Sequence, residues 1–192
     1  MKQVALLLFF LMALSGCAAT NTTGLNQEEN VSPRQAVYYK AILKWQDNID
    51  QKSFQNFDFP QLMSIRNKIA NEGWSNSTVE ETLEEIRKLT CPTMETNNHW
   101  DTPREFVAKN LQGDCKDIAI FLFAMLKKLD YPGQVRIFAV KTQFIDHAML
   151  KVQMPDKSWK VFDTVKKTEH NTQFVYTPIV EFNDREIIFA AI

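Results

Sequence analysis

A cysteine, a histidine and an aspartate at positions 115, 147 and 163 are the residues whose types and spacing could do chemistry. Cys115 follows the turn residue Gly113 and precedes an apolar run, which places its thiol at the start of a predicted helix. Backbone N–H groups and the helix dipole favour a thiolate there. His147 and Asp163 follow on two predicted neighbouring strands. A cysteine hydrolase needs three groups: a thiolate that attacks, an imidazole that transfers a proton and a carboxylate that orients the imidazole.

The elements that would position these groups are a set of helices followed by a set of strands. Apolar spacings of three and four residues, with helix caps such as Ser32, predict helices at 32–50, 58–72, 77–89, 102–113 and 115–129. Alternating or β-branched runs predict strands at 135–140, 147–154, 159–163, 174–182 and 186–190. This order predicts an α+β fold with a mostly antiparallel sheet. The cysteine-bearing helix is apolar nearly all round and is expected to be central and buried.

The polar run at 155–158 predicts the turn between the second and third strands. With these four residues as the loop, Asp163 would stand opposite Leu150 rather than His147. The sequence therefore predicts that some shear or a bulge brings the aspartate to the histidine. Pro178, within the fourth strand, predicts either an edge position or a bulge.

Length and composition predict one compact domain at 32–192. The chain has 192 residues, of which 45% are hydrophobic and only 5 are glycine. The formal net charge is −1, so no basic surface points to a nucleic-acid partner. We expect the domain to be a monomer.

The first residues have the pattern of an export signal. Lys2 precedes an apolar run at 4–13, which is too short to span a bilayer and leads into Leu-Ser-Gly-Cys at 14–17. This pattern resembles a bacterial lipoprotein signal, so residues 1–16 are predicted to be removed and Cys17 to carry a lipid. The alternative is an ordinary secretory signal cleaved after Ala18 or Ala19.

A lipid on Cys17 predicts a lipoprotein of the bacterial cell envelope that meets the membrane through its anchor. By resemblance to enterobacterial lipoproteins, Ala18 in place of an aspartate predicts the outer membrane, with the domain facing the periplasm. The polar stretch at 17–31 is predicted to be a flexible tether.

Each member of the candidate set also has an interpretation without chemistry. Cys115 could form a disulfide with Cys91, because disulfides persist in the cell envelope, or it could be an inert core thiol. His147 could cap the edge of a strand. Asp163 could end a strand in a turn.

Four blocks of sequence carry a resemblance to a known family. They read WDTPREF at 100–106, GDCKDIA at 113–119, HAMLKV at 147–152 and WKVFD at 159–163. In this order and spacing they resemble the bacterial transglutaminase-like cysteine proteinases of the LapG-like type. The resemblance implies a papain/transglutaminase-like fold and a triad of Cys115, His147 and Asp163. It also implies a protein or peptide substrate in the cell envelope.

The residue after the cysteine departs from this family. LapG-like proteins carry acidic residues on both sides of the catalytic cysteine and use them in calcium binding, whereas this chain keeps Asp114 but has Lys116. An ammonium in place of a carboxylate removes an oxygen ligand and repels a divalent cation. We therefore expect no metal site of this type and no cofactor. Lys116 would instead place a positive charge beside Cys115 that favours its thiolate.

Further residues are candidates to support the site. The backbone N–H of Cys115 is expected in the oxyanion hole, with Gln112, three residues upstream, as a candidate second donor. Trp100 is expected to be a core or pocket-wall aromatic, and Asp117 to bind nearby backbone or charge. The other two histidines lie in polar loops and are expected to be solvated: His99 and His170.

The sequence predicts an envelope-anchored thiol hydrolase, a cysteine peptidase or amidase. In the same chemistry, an amine in place of water would resolve the thioester, which gives acyl transfer of the transglutaminase type. A different class of function is a catalytically silent lipoprotein that uses the fold as a binding or assembly module. The reactivity of Cys115 discriminates between the enzyme and the module.

Overall fold

The computed structural model describes residues 32–49, 59–94, 99–143, 145–164 and 176–190. The predicted signal at 1–16, Cys17, the tether at 17–31 and His170 lie outside the described residues. Within the described ranges, no helix is both long enough and apolar enough to cross a membrane.

Five helices are found in the described residues, in the order that the sequence predicts. They are α1 Pro33–Asn48, α2 Pro60–Glu72, α3 Asn76–Arg87, α4 Pro103–Ala108 and α5 Cys115–Lys128. Ser32 and Gln35 form the predicted capping box of α1, because each side chain accepts a hydrogen bond from the backbone N–H of the other. Thr102 and Glu105 cap α4 in the same way.

Two helices differ from the predicted bounds for local reasons. α3 begins after Ser75 rather than at Ser77, because the Ser75 hydroxyl accepts a hydrogen bond from the Thr78 N–H at 3.1 Å. α4 is shorter than predicted because Asn110 and Leu111 have φ values of 55° and 60°. This left-handed backbone cannot continue a right-handed helix.

The described strands form one sheet and one separate pair. They are β1 Cys91–Pro92, β2 Gln112–Gly113, β3 Val135–Lys141, β4 Asp146–Gln153, β5 Trp159–Asp163, β6 Thr177–Phe182 and β7 Ile187–Phe189. The sheet has the order β5-β4-β3-β6-β7, and each neighbouring pair in it is antiparallel. β1 and β2, which the sequence does not predict, form a parallel pair. The predicted α+β class with a mostly antiparallel sheet is confirmed.

The cysteine-bearing helix α5 forms the centre of the core, as its apolar residues predict. Its residues from 116 to 126 are all buried. The helix packs on β3 and β4 of the sheet and against α3 and α4. Phe121, for example, is fully buried between the rings of Phe59 and Phe106. Because α5 is held by its neighbours on several sides, the position of its first residue, Cys115, is well defined.

The register of the β4–β5 hairpin differs from the predicted one by a single residue. Asp163 pairs with Met149, and the pairing continues along the two strands without a bulge. The predicted partner Leu150 is therefore wrong. Of the predicted alternatives, the displacement is a shear of one residue along the whole hairpin, and the described β4–β5 pair has no bulge. Because a shift of one residue turns every side chain of a strand to the other face, Asp163 lies on the same face of the sheet as His147.

The turn between these strands explains the register. The Met154 N–H donates to the carbonyl oxygen of Ser158 at 2.7 Å, so the loop consists of 155–157 instead of the predicted 155–158. Lys157, its last residue, has a φ of 72°. Three-residue hairpin loops place a left-handed residue at this position.

Pro178 of β6 lies at a bulge. The pairing of β6 with β3 shifts between Ala139, which faces Val180, and Val140, which faces Pro178. Proline donates no ladder hydrogen bond, so an irregular position is where an inner strand can accommodate it. Of the two predicted alternatives, the bulge is confirmed, since β6 lies between β3 and β7.

Candidate active site

Cys115 is the first residue of α5, where a capping box holds the backbone. The Asp114 carboxylate accepts a hydrogen bond from the Lys116 N–H at 3.0 Å, and the Asp117 carboxylate accepts one from the Asp114 N–H at 3.1 Å. The N–H of Cys115 has no acceptor within the helix, because the first turn of a helix leaves its N–H groups unpaired. The thiol is partly buried and lies at the tip of the central helix.

The turn before the cysteine requires glycine because two fixed side chains crowd it. A Cβ on Gly113 would lie 2.8 Å from Cε2 of Phe106 and 2.9 Å from Oδ2 of Asp117. Phe106 is fully buried, so its ring has no space to move into. The Asp117 carboxylate is also held, because its Oδ1 accepts a hydrogen bond from the Asp101 N–H at 3.1 Å.

His147 and Asp163 meet across the β4–β5 pair. They are diagonal neighbours on one face of the sheet, and His147 Nε2 lies 3.2 Å from Asp163 Oδ1. Their side chains are 15% and 21% exposed, so the pair is largely shielded from water. Thr164 follows the aspartate and is buried, and its hydroxyl donates to the Ala148 carbonyl at 2.8 Å. This bond holds the end of β5 against the start of β4.

The start of β4 also contacts the thiol. The Ala148 N–H donates to Sγ of Cys115 at 3.4 Å, and His147 hydrogen bonds to the same cysteine. Burial of the imidazole disfavours its charged form. The hydrogen bonds and charges of Asp163 and Cys115 nevertheless outweigh burial and raise the pKa of His147 to about 9. At neutral pH the imidazole is therefore protonated, between a thiol and a carboxylate.

Asp117 is a fully buried carboxylate beneath the turn of the cysteine. Burial is the largest cause that raises the pKa of Asp117 to about 7, and the charges of Asp114 and Asp101 act in the same direction. The Lys116 ammonium and the hydrogen bond from the Asp101 N–H oppose the rise. Asp117 thus connects the backbone on both sides of the site, at positions 101 and 114.

The thiol at the tip of a buried helix faces an imidazole and a carboxylate on the adjacent sheet. This arrangement can be compared with known proteins. No protein-family model and no curated protein matches the chain. Calcium-bound LapG of Legionella pneumophila matches with a TM-score of 0.52 and 18% identity, over 73% of this chain and 85% of that chain. The chain has the fold of LapG. The EGTA-treated form of LapG matches with a TM-score of 0.50 and 18% identity, over 78% and 86%. The predicted papain/transglutaminase-like fold is confirmed.

Because LapG has been observed with calcium bound, the fit of a cation beside Cys115 is of interest. In this chain the Lys116 ammonium lies 2.5 Å from Asp114 Oδ2 and 3.7 Å from Asp117 Oδ2. The Lys116 side chain is only 11% exposed. The two carboxylates next to the cysteine therefore already face an internal cation, and a calcium ion does not fit between them.

A second group of potential metal ligands lies beside α4. Among the described residues, His99, Asp101 and Glu105 place one ligand atom each within 4.8 Å of one another. The Lys109 ammonium lies 2.7 Å from Oδ2 of the buried Asp101, and His99 Nε2 lies 3.5 Å from Asp101 Oδ1 and 3.4 Å from Glu105 Oε1. The group is thus a network of ion pairs around Asp101. His99 is exposed to solvent, as predicted, and its ring also faces two carboxylates.

The remaining predicted residues lie around the turn of the cysteine. Trp100 is 8% exposed and packs edge-on against Phe182, with ring centroids 5.2 Å apart, so it is a core aromatic. Gln112 is exposed on β2, and its role as an oxyanion donor stays a prediction. Cys91 pairs with Gln112 through the β1–β2 backbone. Cys91 and Cys115 both carry free thiols in the structure, rather than a disulfide.

Two residues beside the site were not predicted from the sequence: Tyr38 of α1 and Asp146 of β4. The Tyr38 hydroxyl donates to Asp146 Oδ2 at 2.8 Å, and Asp146 directly precedes His147. In the sequence, Tyr38 is one more member of the apolar stripe of α1, and its partner lies 108 positions away. The position of Asp146 next to the histidine was the one signal that pointed to it.

Proposed function

We propose that the protein is a thiol hydrolase, a cysteine peptidase or amidase, that acts on a protein or peptide in the bacterial cell envelope. The observation that supports this most directly is the continuous contact from Cys115 to His147 and on to Asp163, with 3.2 Å between Nε2 and Oδ1. The fold of LapG agrees with this chemistry. In the proposal, a lipid on Cys17 holds the domain at the outer membrane, facing the periplasm.

The proposed reaction begins with a Cys115 thiolate and a His147 imidazolium. The thiolate attacks the carbonyl carbon of the amide, and the C=O electron pair moves to the oxygen to give a tetrahedral oxyanion. The oxyanion collapses as His147 donates its proton to the leaving nitrogen, so that the C–N bond breaks and a thioester remains. Neutral His147 then takes a proton from water, whose oxygen attacks the thioester. Sulfur leaves as the thiolate beside the imidazolium, and the carboxylic acid is released.

The surrounding groups orient and stabilise this reaction. Because Nε2 of His147 faces Asp163, Nδ1 is the nitrogen that remains for the thiol and the leaving group. The N–H of Cys115, at the start of α5, is the proposed first donor to the oxyanion. The Gln112 amide is the proposed second donor, from the exposed strand three residues upstream.

We infer that the reaction proceeds without calcium or another cofactor. Lys116 already places a cation against Asp114 and Asp117, and its position is largely buried. The local charge that a metal ion would neutralise is thus neutralised by the chain itself. The carboxylates next to Cys115 have a structural role in the capping box of α5.

The proposal is tested by the rate at which iodoacetamide alkylates Cys115 at neutral pH, in a Cys91→Ser background. A free thiol is only about 3% thiolate at neutral pH, whereas an ion-paired thiolate is almost completely formed. We therefore expect His147→Ala to lower the rate about thirtyfold. His99→Ala, the matched histidine control, should leave the rate unchanged. If Cys115 of the wild-type protein is alkylated at the rate of a free thiol, the hydrolase proposal is contradicted. The catalytically silent binding module is then the remaining hypothesis.

The substrate and the fate of the thioester are tested in cells. Envelope proteins from cells with the wild-type protein are compared with those from cells with Cys115→Ser. New N-termini that depend on Cys115 would identify the substrate and show hydrolysis. New cross-links or amine adducts would instead show acyl transfer, which uses the same three residues.

A further inference from the structure

The first turns of α1 contact the start of β4, immediately before His147. Tyr38 Oη donates to Asp146 Oδ2 at 2.8 Å, and the Arg34 guanidinium forms an ion pair with Asp146 Oδ1. Both carboxylate oxygens of Asp146 are therefore bound from one helix. The two partners lie 108 and 112 positions away in the sequence, so the contact depends entirely on tertiary structure.

The start of β4 is paired with a neighbouring strand on one side only, because its pairing with β5 begins at Met149. Asp146 is the first residue of β4 and pairs with Lys141, the last residue of β3. Hydrogen-bonded pairs at the end of a strand open more easily than those at its centre. His147, the next residue, contacts both the thiol and the carboxylate of the candidate triad. Its position therefore depends on a strand end that α1 holds in place.

Tyr38 also lies within electrostatic reach of the thiol. Burial raises the pKa of Tyr38 to about 12, Arg34 opposes this rise, and the charge of Cys115 adds to it. The hydroxyl therefore remains a donor throughout the pH range in which His147 titrates. Its ring packs edge-on against Trp100, with centroids 6.1 Å apart, next to the turn of the cysteine.

We propose that Tyr38 and Asp146 are positioning residues of the triad. The Tyr38 hydroxyl, with Arg34 as the second partner of Asp146, fixes the start of β4 so that the His147 imidazole faces both the thiol and the carboxylate. This inference rests on the proposed function, because it concerns the same site. α1 thereby becomes part of the active site, although its residues take no part in bond making or breaking.

The test compares Tyr38→Phe with Tyr39→Phe in the Cys91→Ser protein. Each change removes one phenol hydroxyl from α1, but the Tyr39 ring packs against Phe189 of β7, with centroids 5.9 Å apart. We expect Tyr38→Phe to lower the alkylation rate of Cys115 about tenfold, which is the effect of one well-formed hydrogen bond. Tyr39→Phe should leave the rate unchanged.

Titration of the His147 ring by NMR provides a readout that a merely structural contact would not change. The wild-type midpoint is expected at about 9. In Tyr38→Phe we expect it to fall toward 6.5, because a displaced imidazole loses part of its hydrogen bonding to the thiol and the carboxylate. Asp146→Ala should cause at least the same shift, because it also removes the ion pair with Arg34. Tyr38→Phe should add nothing in the Asp146→Ala protein, since the partner of its hydroxyl is then absent.

A conservative variant of Asp146 separates the loss of the hydrogen bond from other effects of the substitution. Unfolding curves establish that each variant is folded. Asp146→Asn retains an oxygen that accepts from Tyr38, so it should keep most of the alkylation rate. A folded Tyr38→Phe protein with the wild-type rate and the wild-type His147 midpoint would overturn the positioning role. If the wild-type protein itself reacts as slowly as His147→Ala, the proposed function fails, whatever the result for Tyr38→Phe.

Discussion

Positive charge beside Cys115 comes from two residues with different environments. Lys116 is adjacent in sequence, but its ammonium is paired with Asp114 at 2.5 Å, which neutralises most of its charge. His147 instead hydrogen bonds to the thiol itself, and the Ala148 N–H adds a further donor to the sulfur. The imidazolium is therefore the principal cation that faces the sulfur of Cys115, and Lys116 has mainly a structural role.

The stability of the fold should fall as His147 loses its proton. Folding raises the pKa of His147 from 6.5 to about 9, so its contribution is complete below pH 6.5 and is lost as the pH rises through about 9. A shift of this size corresponds to about 3 kcal/mol. We expect the difference in unfolding free energy between wild type and His147→Gln, measured in urea, to decrease by this amount across that pH range. A difference that does not vary with pH would contradict the raised pKa.

Lys116→Glu should convert the turn of the cysteine into a calcium site. The change removes the internal ammonium and leaves three carboxylates close together, at 114, 116 and 117, which repel one another until a cation binds. We expect calcium to raise the melting temperature of this variant and to leave that of the wild type unchanged.

The control for this prediction is Lys128→Glu, which makes the same change of charge in the last turn of α5. Calcium should leave its melting temperature unchanged. Stabilisation of the wild-type protein by calcium would show that Lys116 does not replace the metal ion.

At the scale of the elements, the loop of the β4–β5 hairpin decides the geometry of the triad. The pairing of Met149 with Asp163 follows from a loop at 155–157, whose last residue has a left-handed backbone. A loop longer by one residue in the same strands would turn Asp163 away from His147. The length of this three-residue loop thus determines whether the imidazole of His147 and the carboxylate of Asp163 meet.

Lys157→Gly should stabilise this hairpin. Lys157 has a φ of 72°, a conformation that costs a residue with a Cβ about 1 kcal/mol relative to glycine. We expect the free energy of unfolding to rise by about 1 kcal/mol and the alkylation rate of Cys115 to stay the same. Lys157→Ala is the matched control, because it removes the same charge but keeps the Cβ. Equal stability of the two variants would argue against the left-handed turn.

At the scale of the whole molecule, the candidate site is assembled from distant parts of the chain. α5 carries the nucleophile, the β4–β5 hairpin carries the imidazole and the carboxylate, and α1 holds the start of β4. α1 also contacts the residue that follows β7, because Gln35 Nε2 donates a hydrogen bond to the Ala190 carbonyl at 3.2 Å. The helix that follows the predicted tether is therefore joined to the sheet at two separate places.

The predicted anchor should determine where the protein is found without changing its reactivity. We expect Cys17→Ala, combined with a secretory signal that is cleaved without lipidation in place of residues 1–16, to move the protein from the membrane fraction to the soluble fraction, because the lipid supplies the membrane affinity. The alkylation rate of Cys115 should not change. Cys91→Ser, which also removes one thiol, should remain with the membrane. A Cys17→Ala protein that has lost its replacement signal and still sediments with membranes would contradict the lipoprotein hypothesis.

Much of the fold was predictable because its signals are local. Caps, apolar spacing and alternation relate residues a few positions apart, and they predicted α1, α5 and the strands from β3 to β5 within a few residues. β1 and β2 were missed because strands of two residues have no periodicity to recognise. The network of Tyr38 with Asp146 was missed because neither residue is unusual in its own segment.

By itself, the sequence determined that a cysteine begins a central buried helix and that a histidine and an aspartate follow on adjacent antiparallel strands. Only the tertiary structure decided that Asp163 shares a face with His147, that Lys116 lies against two carboxylates, and that α1 contacts the start of β4. The reason is the range of the forces involved. Helix and strand patterns arise between close neighbours in the chain, whereas register and side-chain networks depend on turn geometry and on the packing of the whole chain.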